Sequence, residues 1–190
     1  MKQLKKLLLL TMALCLLISC GRSDKTSGGK SKLKKGKVEM VTLPFDVNAL
    51  GNYTYVGSDT LPNPKCSEPL TAWRAIVDGN GTGTPIGDFK MHFDFCGDSL
   101  SNYGNTYAYL VASDGDTLFI SCEGRVLEGR LDDHPVFVTS YWKDPFAILG
   151  GTGKYEEATG TAMTDDYNSS EDPNSHHHWT GTITMMKAKR

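Results

Sequence analysis

After residue 40 the chain has no long segment in which apolar residues recur at helical spacing. That excludes folds built on long helices. It also lacks a run of about 20 apolar residues, the length a membrane-crossing helix needs. The longest run, Leu7–Ile18, is about a dozen residues. No G-x-S-x-G elbow occurs, and no HExxH or HxxxH pair. These absences remove the commonest hydrolase elbow and the helical zinc-protease pattern. Basic charge is scarce beyond the N-terminal segment. From Val38 onward there are ten Lys or Arg against twenty-one Asp or Glu, a net charge of about −11. Such a surface does not neutralise phosphate, so no nucleic-acid partner is expected.

The first residues are differently built. Lys2, Lys5 and Lys6 precede the apolar run, which ends at Leu17-Ile18-Ser19-Cys20. This is the layout of a secretory signal. Its last four residues resemble the lipobox of bacterial lipoproteins. The resemblance implies cleavage before Cys20, lipid (palmitate among it) on that cysteine, and a membrane partner through the anchor. Gly21 follows the cysteine where Asp would imply inner-membrane retention, so the outer membrane is the expected site. Residues 21–37 are rich in Gly, Ser and Lys and carry about +6. They bury too little to offset the entropy of ordering, and read as a flexible tether that anionic head groups would attract. The expected organisation is a signal over 1–19, a lipidated tether over 20–40, and one domain over 41–190.

That domain reads as all-β. Leu43–Val47, Thr71–Val77, Ile86–Phe95, Thr106–Ala112, Thr117–Cys122, Val136–Trp142, Phe146–Leu149, Thr159–Thr164 and Trp179–Met186 are short runs rich in β-formers. Within the third, Phe89, Met91, Phe93 and Phe95 alternate with Lys90, His92 and Asp94. Turn chemistry separates the runs, as at Ser113-Asp114-Gly115-Asp116. Lys154–Ala158 is the one stretch suited to a helical turn. About eight strands with turns every 8–12 residues predict an antiparallel sandwich or barrel.

Three cysteines remain once Cys15 and Cys20 are set aside: Cys66, Cys96 and Cys122. An odd count allows at most one internal bridge. If a hairpin centres near Gly81, residues whose numbers sum to about 162 face each other, and Cys66 with Cys96 does so. A bridge to Cys122, or none, stays open.

Ile148-Leu149-Gly150-Gly151-Thr152-Gly153-Lys154-Tyr155-Glu156-Glu157-Ala158 invites a phosphate-loop reading. However, Tyr155 follows the lysine where Ser or Thr is needed, and a strand follows where a helix should. The stretch resembles instead the GGTGxFxGAxG signature of allene-oxide-cyclase-like and dirigent-like β-barrels. Gly81–Phe89, Ala112–Phe119 and Trp179–Ile183 resemble further segments of the same family, in the same order. Glu157 departs from the pattern, which has Gly there. The resemblance implies a calycin-like barrel of about eight strands with a lumen lined by alternate side chains. It carries over no catalytic residue.

Candidate chemistry is thin. Ser175-His176-His177-His178 places His176 and His178 on one face of a strand and His177 on the other. The first two are zinc candidates, with Asp165, Asp166 or Asp172 as partner. Asp78, Asn80 and Thr82 mimic a calcium loop, but Phe89 stands where its twelfth, acidic ligand belongs. Cys122 is a conceivable thiol nucleophile. Neither a resident metal nor a cofactor is expected. The functional expectation is a non-catalytic envelope module binding a small apolar ligand or a protein partner. A cyclase- or isomerase-like enzyme and a purely structural role are the alternatives.

Overall fold

A computed structural model describes residues 38–187. Cys20 and the signal and tether readings lie outside the described residues. Twelve strands run in chain order: β1 (Met40–Gly57), β2 (Trp73–Thr84), β3 (Gly87–Gly97), β4 (Asn102–Ala112), β5 (Thr117–Cys122), β6 (Gly124–Arg125), β7 (Leu127–Glu128), β8 (Val138–Trp142), β9 (Pro145–Gly151), β10 (Thr159–Thr164), β11 (Asp166–Ser169) and β12 (Ser175–Met186). Eight of them close a barrel in the order β1-β2-β3-β4-β5-β9-β10-β12, and β12 pairs back onto β1. The pairs between these neighbours are antiparallel. The expected barrel is therefore present, with a side arm. Strands β8–β9 and β10–β11 are two long strands bent at residues 143–144 and at Asp165. Their outer halves peel away as β11 and β8 beyond β12, and β7 pairs outside β8. Of this arm the expected strand Val136–Trp142 is β8, while β7 and β11, two and four residues long, gave no run of their own.

Alternation fills the barrel. Phe45, Val47, Met91, Leu110, Leu118, Ile120, Ile148 and Ile183 all point inward and are no more than 4 % exposed. Each such side chain contributes about 1.5–3 kcal/mol by leaving water. One end is plugged by the Gly-rich stretch. A 3₁₀ turn, Gly153–Tyr155, drives the fully buried Tyr155 into the core. Two demands on the backbone explain the glycines. Gly150 (φ +103°) and Gly153 (φ +54°) adopt left-handed geometry, which side chains resist. A Cβ at Gly151 would run into the carbonyl oxygen of Thr117 and the Tyr155 side chain. Glu157 is not among the residues with positive φ, so the turn keeps its shape without the family's glycine.

The Cys66–Cys96 disulfide is present, with Cα atoms 5.6 Å apart, while Cys122 is free and buried. The hairpin arithmetic behind that expectation was wrong. β2 and β3 pair with Arg74 opposite Cys96 and Gly83 opposite Gly87, so the turn lies at Pro85–Ile86, not at Gly81. Asp78–Gly83 composition reads as a turn, yet these residues continue β2. Their small side chains suit close approach to β1, where a Cβ at Gly79 would meet the Leu50 carbonyl. Cys66 sits instead in the strap between β1 and β2. Asp59 anchors this strap by accepting hydrogen bonds from the backbone N–H groups of Lys65 (2.7 Å) and Cys66 (2.8 Å). Arg74 reaches Asp59 at 2.8 Å and Asp94 at 2.7 Å. The Cys66 amide, then Arg74 and the Lys65 amide, hold the Asp59 carboxyl below its ordinary value.

Replacing both Cys66 and Cys96 by Ser should lower unfolding free energy by about 2–4 kcal/mol, read from urea denaturation. The unreduced wild type should weigh two protons less than its reduced form.

Candidate functional site

The barrel is solid at the Tyr155 end and hollow at the other. The hollow is a cavity of about 390 Å³, within the range of small-molecule sites. Eight of its lining residues are Tyr, Trp or Phe. The same alternation that packs Phe89 and Met91 brings Phe93 and Phe95 to its wall from β3. Trp73 and Val77 come from β2, and Trp179 from β12. The bend after β8 turns Trp142 inward. Gly97 makes room for the Trp73 ring, because a Cβ there would strike the indole. The rings meet at steep angles: Trp73 and Phe95 at 84°, Phe93 and Trp179 at 53°, Phe146 and Trp179 at 76°.

One carboxyl group sits in this apolar wall. Asp166 is 2 % exposed. Its Oδ2 accepts from Trp179 Nε1 at 3.0 Å and contacts His177 Nδ1 at 2.9 Å, and its Oδ1 accepts from the His178 backbone N–H at 3.1 Å. His177 Nε2 lies 2.8 Å from Ser175 Oγ, which is also 3.2 Å from the Gly51 carbonyl oxygen. The carbonyl oxygen can only accept, so the Ser175 hydroxyl donates to it and accepts from His177 Nε2. Ser175, His177 and Asp166 thus lie in a Ser–His–Asp line. They do not form a nucleophilic site. Ser175 is 0 % exposed and does not line the cavity, so no substrate carbonyl reaches it.

A second polar group stands at the wall. The Tyr103 hydroxyl donates to Asp144 Oδ2 at 3.0 Å and lies 3.2 Å from Cys122 Sγ. Burial, and then the neighbouring Cys122, push the Tyr103 hydroxyl far up. Burial pushes the Cys122 thiol up to about 12 and raises Asp144 as well. Cys122 therefore stays a thiol at neutral pH and is no nucleophile.

The metal candidates part company. His176 and His178 do share the outer face, but His176 Nε2 meets Asp172 at 2.8 Å and stacks on Tyr167. His178 Nε2 meets Asp46 at 3.0 Å. Asp165 holds His134. Among the described residues no three His, Cys, Asp or Glu side chains gather at one point. His177, the histidine left out of the zinc pair, is the one at the cavity. Asp78 of the calcium-like loop pairs with His92 at 2.7 Å. The strand face of His177 was legible, but its partner Asp166 was not, since β11 carries no sequence signal of its own. A shallower groove of about 920 Å³ crosses the outer face past Asn80, Lys90 and His178. It is open to solvent and lacks the aromatic walls.

No protein-family model matches the chain, and no curated protein matches it. Among solved structures, the pterocarpan synthase dirigent protein GePTS1 aligns with a TM-score of 0.52 at 17% identity, covering 80% of this chain and 94% of that one. A second, the pterocarpan synthase dirigent protein PsPTS1, aligns at 0.44 with 14% identity, covering 80% and 97%. The fold is that of a dirigent-like barrel. The dirigent-like resemblance of the GGTGKY stretch and its companion segments is thereby matched at the level of fold, which by itself assigns no chemistry.

Asp166→Ala should cost about 3–5 kcal/mol in urea unfolding, because three buried donors lose their acceptor. Asp172→Ala, which removes a half-buried partner of His176 and the Asn174 amide, should cost much less, about 1 kcal/mol.

Proposed function

We propose that this chain is a non-catalytic, lipid-anchored protein of a bacterial envelope whose dirigent-like barrel holds a small apolar molecule. The aromatic cavity of about 390 Å³ carries this reading. It is enclosed on the Tyr155 side and walled by rings that would bury most of a small ligand. Much of the polar chemistry around it is spent internally, Asp166 on Trp179 and His177, Tyr103 on Asp144. A wall of that kind holds a molecule more readily than it transforms one. A purely structural barrel would be expected to fill its interior.

The envelope part of the proposal rests on the sequence. The lipobox-like Leu17–Cys20 and the basic residues 21–37 would place an acidic barrel on a short leash at an anionic membrane surface. The outer membrane is the proposed location.

One observation favours a second reading, conversion of a ligand inside the barrel. Burial raises Tyr103 and Cys122 at the cavity wall and Asp144 behind them, and such clusters occur at reactive sites. The solved neighbour GePTS1 is itself called a synthase.

Native mass spectrometry of protein from its own envelope should reveal a reproducible extra mass released by organic solvent. Ala75→Trp, which fills the cavity from β2, should abolish it. A bare wild-type mass would contradict the binding reading, and a released compound that differs from the one supplied would favour conversion. Cys20→Ser should lose palmitate labelling and leave the membrane fraction. Retention of both would overturn the anchor.

A further inference from the structure

A second concavity lies outside the barrel. We propose that the groove of about 920 Å³ on its outer face is a binding site for a neutral, linear glycan of N-acetylated sugars. The site is separate from the aromatic cavity and does not depend on what that cavity holds.

Strand register builds the floor. On the outer face His176 opposes Leu50, Leu50 opposes Asn80, Asn80 opposes Lys90, and Lys90 opposes Val111. Two residues along, Asn48, Thr82 and Asp88 form a second row beside the first. Neighbouring strands lie about 4.8 Å apart, so four steps from β12 to β4 make a track of about 19 Å. One step is close to the length of one sugar unit. A glycan laid across the strands therefore meets a new side chain at nearly every ring. Tyr167 of the side arm bounds one end, its ring stacked on His176 at 4.6 Å. The turn at Ser113–Gly115 bounds the other.

The side chains select the ligand. Asn48, Asn80, Thr82, Asp88 and Lys90 are exposed, and among the described residues none of these side chains has a hydrogen-bond or ion-pair partner. The cavity wall differs, since its polar groups are paired with one another. A side-chain amide donates and accepts at once. It matches an acetamido group, which offers one N–H and one carbonyl. Leu50, 49 % exposed, stands in the same row as Asn80 and gives the acetyl methyl an apolar seat. A plain hexose, with hydroxyls alone, would leave Leu50 idle. The Tyr167 ring offers a face to sugar C–H bonds, with its hydroxyl still wet.

Other polymers fit less well. The groove holds one lysine and no arginine, on a domain of about −11 from Val38 onward, so polyanions are repelled. An extended peptide binds by adding to a free sheet edge. The floor strands have none, because each is paired on both sides within the closed barrel.

Saturation-transfer NMR on the purified full-length protein, in a zwitterionic detergent free of sugar, would use two probes. These are the N-acetylglucosamine tetramer and cellotetraose, the same chain without acetamido groups. The acetylated chain should bind about tenfold more tightly, with its acetyl methyls receiving the strongest transfer. Asn48→Ala combined with Asn80→Ala should weaken it by about tenfold or more. Thr161→Ala, a similar change on the outer face of β10, should leave binding unchanged. All three positions are exposed, and circular dichroism checks that each variant is folded. Equal binding of the two chains overturns the acetamido assignment. No transfer to either, or transfer that the double variant leaves intact, overturns the groove. If the wild type sediments as an oligomer that the double variant breaks apart, a second copy occupies this face and the glycan reading falls.

Discussion

Closure of β1 onto β12 is the constraint from which the rest follows. Met40 opposes Met186 and Gly51 opposes Ser175 across twelve paired positions. This joins the start of the described fold to its end and leaves the barrel itself without an open edge, the side arm ending in β7. It also fixes which side chains face inward. With Val47 opposite Trp179 and Leu43 opposite Ile183, a slip of one residue would turn every lumen residue of both strands outward. The same register sets Ser175 against Gly51, where a missing side chain leaves room. A Cβ on Gly51 would crowd Val77, Met91 and the Ser175 hydroxyl itself.

Asp166 then organises the hollow end. A buried carboxylate is costly unless its oxygens are satisfied, and three donors from β12 meet that need. In return the carboxylate sets the tilt of Trp179 and His177, two walls of the cavity. The arrangement couples the side arm to the barrel, because Asp166 begins β11 while its donors sit on β12. The disulfide and the Arg74 cluster do the equivalent work outside, pinning the strap that leads into Trp73. The cavity is thus braced from both sides of its rim, which is how an unfilled lumen avoids collapse.

Much of the barrel was legible because its strands obey a period of two with large apolar residues on one face. β3 is the plainest, and β5 and β10 begin and end where their composition says. The β2–β3 turn was misplaced because glycine and asparagine signal turns and close packing alike. Asp78–Gly83 uses them for packing against β1, and the true turn carries Pro85. The right disulfide followed from a wrong register, since the strap, not the strand, delivers Cys66. The site was half visible. Its aromatic residues stand out in the sequence, and their convergence needs only the barrel. The Asp166–His177 pair was hidden, because it joins strands of different hairpins and one of them is four residues long.

The chain emerges as a barrel with one packed end and one aromatic hollow. The central claim is that the hollow is real and apolar in solution. Crystals of the protein pressurised with xenon test it most directly, because the gas settles only in dry, apolar cavities. The account predicts xenon density between Phe93, Trp142 and Trp179. A lumen without xenon, with these rings collapsed onto one another, would contradict it.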